Sequence, residues 1–135
     1  VMNQPLNQYD QEREARRLHD LAMERITADY ERTMAEIAGQ YSNVEREGWR
    51  KQEQQARAFK NGQTAPLITT MANENGVSED QMATWIINND DAWTDQYAKE
   101  TGKLVNLREQ AKQLFENRDF DGLNALNWPV DEDEL

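Results

Sequence analysis

Cysteine is absent from the 135 residues, and His19 is the sole histidine. Disulfide frameworks, zinc ribbons, thiol nucleophiles and histidine metal clusters are therefore excluded. Proline occurs three times and glycine six, so little in the chain interrupts helix. No apolar run reaches membrane-spanning length, and residues 1 to 30 carry charges every few positions where a signal peptide would be uninterruptedly apolar. The expectation is a protein made and kept in a cytoplasm, or carried in a particle assembled there. Motifs for catalysis are missing as well. There is no phosphate-binding glycine loop, no Gly-x-Ser-x-Gly elbow and no Cys or His zinc spacing.

What the chain does hold is charge, unevenly placed. The formal net charge is -11 and the mean hydropathy -1.05. Residues 1 to 63 contain 11 acidic and 10 basic side chains, whereas residues 64 to 135 contain 15 and 5. An acidic C-terminal half repels phosphate backbones, so nucleic-acid binding is not expected despite Arg46, Arg50 and Lys51. At 37% hydrophobic residues, the composition suits long helices that bury one stripe, or a chain whose core a partner completes.

The length allows one domain overall. From Gln8 to about Gln40, residues rich in helix formers carry Leu18, Ala22, Ile26, Tyr30, Met34, Ile37 and Tyr41 at intervals of three or four. Ser42-Asn43-Val44-Glu45 has the form of a capping box, and the helix it opens should run to about Lys60. Trp49, Gln52, Ala56 and Phe59 share one side of it. The short turn predicts that this side folds back on the first helix, making residues 1–60 an antiparallel hairpin.

Asn61-Gly62 and Pro66 mark the clearest break, so residues 61–77 read as a linker with a short helix from about Pro66 to Glu74, closed by Asn75-Gly76. A second capping box, Ser78-Glu79-Asp80-Gln81, opens a long helix over residues 78–118 that should pack on the hairpin. Asn88 to Asp91 and Gly102 are its weak points, where a kink could form. Residues 119–135 are expected to hold a short turn around Leu123 to Leu126 and a disordered acidic tail. The fold class is all-α.

Paired carboxylates give little chemistry. Asp90 and Asp91 are adjacent on a helix and point about 100 degrees apart, which suits a solvated pair better than a shared proton or metal. His19 lacks the partners of a triad. Asn117-Arg118-Asp119-Phe120-Asp121-Gly122 has the spacing that opens a calcium loop, but the twelfth position, which needs a bidentate glutamate, is Trp128. A helix-ending turn is the better reading. No catalytic residue, metal site or cofactor is assigned.

The aromatic residues read two ways, as core or as anchors for another chain. Trp85, Trp93, Tyr97 and Leu104 are the positions expected to meet a partner, because Ile86 and Ile87 widen the apolar arc of that helix beyond one stripe. Trp49, Gln52 and Phe59 are expected to hold the hairpin together.

Taken in order, the helix ending near Tyr41, then Glu45, Trp49, Lys51-Gln52, Glu53, Ala56, Ala58, Ala65-Pro66-Leu67-Ile68, Ala72, Gly76-Val77, and a helix through Ile86, Tyr97 and Gly102 form a pattern. It resembles the helical domain encoded beside tail-fibre genes in tailed bacteriophages and prophages, over residues 30 to 117. That resemblance implies a tail or tail-fibre assembly protein that binds a fibre or other tail chain through its helices, without catalysis, in the host cytoplasm. The alternatives are a structural component of the virion tail, fibre or baseplate, in which the helices form a homo-oligomer, and a small enzyme with an acidic site.

Overall fold

The computed structural model describes residues 6–130. Helix takes up 82% of them and no strand occurs among them, so the fold is all-α. Five helices follow one another: α1 (Gln8–Ala38), α2 (Asn43–Lys60), α3 (Pro66–Asn75), α4 (Glu79–Glu116) and α5 (Phe120–Ala125). The acidic tail expected to be disordered falls, from residue 131 onward, outside the described residues.

Local chemistry sets each boundary. Asn7 opens α1 by accepting the Asp10 N–H on its side-chain oxygen at 2.8 Å. At α2 the capping box is complete: Ser42 Oγ accepts from the Glu45 N–H at 3.1 Å, and Glu45 Oε1 accepts from the Ser42 N–H at 3.3 Å. Ser78 and Gln81 repeat the arrangement at α4, at 3.0 and 3.3 Å. Pro66 begins α3, where its missing N–H costs nothing. Gly76 ends that helix in the left-handed region at φ 66°, and the Val77 N–H turns back to the Ala72 carbonyl at 3.1 Å. Helix α4 continues unbroken through both Asn88 to Asp91 and Gly102.

Two compact units divide the chain, residues 6–35 with 99–130, and residues 36–98. In the first, the α1 stripe is buried against the second half of α4 and the residues after α5. Ala22, Ile26, Leu104, Leu107, Ala111 and Leu126 form its core, with Tyr30 and Trp128 packed on the edge. Arg25 donates to the carbonyls of Leu123 and Leu126, both at 3.0 Å, which ties α1 to the end of α5. Tyr30 and Thr101 share a hydroxyl hydrogen bond of 2.9 Å.

In the second unit, Ala56 of α2, Ile68 and Ala72 of α3, and Met82, Ala83 and Ile86 of α4 make a core of their own. Lys60 closes it on the outside, donating to Asp80 and Thr84 at 2.7 Å each. The apolar side of α2 is buried by α3 and the first turns of α4, and Phe59 packs on that cluster. A stripe of one α2-sized face can be covered by any apolar neighbour, and α4 supplied it.

Candidate functional site

The second unit carries a cleft of about 280 Å³. Its floor and wall are apolar, and α2 supplies Trp49, α3 Met71, and α4 Trp85, Ile86 and Trp93. Tyr41, in the turn before α2, completes the aromatic wall. Its ring meets Trp49 edge-on at 4.9 Å between centroids, and Trp49 meets Trp93 at 5.1 Å with the planes inclined by 56°. Both separations fall in the range where aromatic pairs attract.

Helical spacing explains how these side chains converge. On α2, Glu45, Trp49, Gln52 and Glu53 lie three or four residues apart and so share a face. Along α4, Trp85, Ile86, Asn89, Asp90 and Trp93 do the same. The polar members of both faces rim the apolar floor. Of the two tryptophans on α4, Trp93 is half-buried while Trp85 is 58% exposed.

An ion-pair cluster borders the cleft. Arg57 Nε donates to Glu53 at 2.6 Å, and its Nη2 donates to Asp90 at 3.1 Å and Asp91 at 3.2 Å. The hydrogen bonds it donates to Glu53, then Asp90 and Asp91, raise the Arg57 guanidinium's pKa, so it stays charged across the working range. The expected solvated pair Asp90 and Asp91 is thus held by a cation, a contact that needs α2 and α4 side by side.

Of the residues expected to meet a partner, Trp85 and Trp93 line the cleft, and Tyr97, 47% exposed, lies further along α4 outside its lining. Leu104 requires correction. It is 5% exposed and belongs to the core with Ile26 and Leu107. Trp49 and Gln52, expected to hold the hairpin, line the cleft. Sequence reasoning missed Met71 and the acidic rim. The rim could have been found from Glu45, Glu53 and Asp90 standing at helical spacing beside the tryptophans.

Elsewhere the chemistry is quiet. Among the described residues no group of three His, Cys, Asp or Glu side chains is placed to hold a metal ion. No helix among them is long and apolar enough to cross a membrane. His19 lies 3.1 Å from Asp20 and tilts against the Phe115 ring at 5.5 Å. In the calcium-like segment, Asp119 Oδ1 accepts the Gly122 N–H at 2.8 Å and serves as the cap of α5. Compared with family models, curated proteins and solved structures, the chain matches none.

Proposed function

We propose that this chain is a binding protein without catalysis, which grips a segment of another protein in the aromatic cleft of α2, α3 and α4. The observation that carries the reading is the cleft itself: three tryptophans and a tyrosine on one concavity, with Trp85 left mostly open to solvent. Aromatic side chains of this kind bring large contact area at low entropic cost and dominate binding energy where proteins meet.

The biological setting we propose is the assembly of phage tails or tail fibres in the host cytoplasm, on the likeness carried by Glu45, Trp49, Lys51-Gln52 and Ala65-Pro66-Leu67-Ile68. Chains that have not finished folding or assembling expose apolar segments, and a cleft that covers such a segment in a fibre chain would hold off aggregation. No nucleotide is required for masking of that kind. Co-expression with the fibre protein of the neighbouring gene tests it. Soluble fibre trimer should rise when this chain is present and fall back when Trp85→Ala and Trp93→Ala are introduced together. Fibre yield indifferent to the chain would end the assembly reading.

A further inference from the structure

We infer that the cleft is built for a cationic side chain, an arginine or lysine set between apolar residues of the protein partner, an inference that rests on the cleft being a protein-binding site. Three observations converge on it. The first is the wall. Tyr41, Trp49 and Trp93 stand in a chain of ring contacts at 4.9 and 5.1 Å, and aromatic faces attract a cation placed over them.

The second is the rim. Apart from the aromatic residues, every polar side chain lining the cleft is a carboxylate or a side-chain amide: Glu45, Glu53 and Asp90, with Gln52 and Asn89. No lysine or arginine lines it. Arg57, the guanidinium that borders this rim, is shared by Glu53, Asp90 and Asp91. Glu53, Asp90 and Asp91 share that one guanidinium and Glu45 adds a further carboxylate to the lining, while Arg46, Arg50 and Lys51 of α2 stand outside it, so the charge lining the cleft is acidic and disfavours an acidic segment.

The third is size. A cleft of about 280 Å³ leaves room for one long side chain to insert between the aromatic wall and the acidic rim. Arginine suits it better than lysine, because a planar guanidinium can stack on indole while its N–H groups reach a carboxylate. At the mouth, the exposed Trp85 offers apolar surface for the residue beside the cation.

The experiment titrates the full chain with the capped peptide Ala-Leu-Arg-Leu-Ala, followed by tryptophan fluorescence and calorimetry. Two controls replace the arginine by citrulline, its neutral isostere, or by glutamate. The arginine peptide should bind at least about tenfold tighter than the citrulline peptide, with the advantage shrinking as salt rises from about 0.05 to 0.5 M. Glu45→Gln combined with Asp90→Asn should remove that advantage while leaving the helical circular dichroism unchanged. Glutamine preserves the capping box, and Arg57 keeps Glu53 and Asp91. Trp85→Ala, at a largely solvated ring, should weaken binding of both peptides without unfolding the protein.

Equal affinity for the arginine and citrulline peptides, or none for either, overturns the inference. So does sedimentation showing a dimer that Trp85→Ala dissolves, since the cleft would then belong to a second copy. Failure here is separable from failure of the assembly reading. Fibre rescue that survives Glu45→Gln with Asp90→Asn rejects the cation and keeps the chaperone. Selective arginine binding with no effect on fibre yield does the reverse.

Discussion

Trp49 of α2 and Trp93 of α4 meet with their ring centroids 5.1 Å apart, and this contact turns two helical faces into one cleft wall. Neither ring is fully buried, so their mutual contact replaces part of the cover a core would give. Trp93→Ala should lower the stability of the chain by about 2 kcal/mol, below the cost of emptying a fully buried site. A double-mutant cycle of Trp49→Ala and Trp93→Ala, read by urea unfolding, should yield a coupling of about 1 kcal/mol. Strict additivity would mean that the stack holds nothing together.

Arg25 is the clearest long-range tether in the first unit, where it caps the carbonyls of Leu123 and Leu126. Hydrogen bonds from a charged donor to partly buried carbonyls are among the stronger kind. Arg25→Met keeps the apolar stem and leaves those carbonyls without their donor, and should cost about 2 kcal/mol. Arg25→Lys should recover only part, because one ammonium cannot reproduce the guanidinium fork. If both variants unfold at the wild-type urea midpoint, the tether is incidental.

Gly122 sits against two side chains, Leu114 and Asp119. A Cβ built there would stand 2.6 Å from Leu114 Cδ2 and 2.8 Å from the Asp119 carboxylate. Gly122→Ala must therefore displace the cap of α5 or the Leu114 side chain, and should destabilise by about 2 kcal/mol. Thermal unfolding monitored by circular dichroism checks it, and a variant as stable as the parent contradicts the packing described.

Glu100 is 8% exposed, and its Oε1 accepts from Lys103 at 3.1 Å while Oε2 has no protein partner. Half-satisfied buried carboxylates cost desolvation that one ion pair does not offset. Glu100→Met, of similar reach, should leave stability unchanged or raise it by about 1 kcal/mol, since Lys103 can carry its ammonium to water. A fall of more than about 1 kcal/mol would show that the pair contributes more than this geometry accounts for.

The two serine caps give a matched pair of local tests. Ser42→Ala and Ser78→Ala each free a backbone N–H that the side chain now bonds, at 3.1 and 3.0 Å. Each should cost about 1 kcal/mol in denaturant unfolding, and glycine in place of alanine should cost less. Equal stability of the alanine and parent chains would show that water caps these ends as well as serine does.

The sequence by itself determined α1 to α4 and their limits, whereas α5 (Phe120–Ala125) was legible only as a turn around Leu123 to Leu126. Gln8, Ser42, Pro66 and Ser78 mark starts, and Gly39, Asn61-Gly62 and Gly76 mark ends, because capping and left-handed turns are decided within a few residues. The weak points of α4 are an instructive exception: Asn88 to Asp91 was legible as a place to kink, but Arg57 binds Asp90 and Asp91 there and the helix runs on.

What only the tertiary structure decided is which stripe each face meets. Periodicity identifies an apolar face and is silent on its partner, since hydrophobic contact has no direction. The stripe of α1 found the second half of α4, and α2 found α3 and the first half, so Leu104 became core while Trp85 stayed open. The cleft depends on Trp49 and Trp93, residues of different helices brought within ring contact by the packing around Ala56 and Ile86. No local pattern records that proximity, because it arises from the burial of other residues.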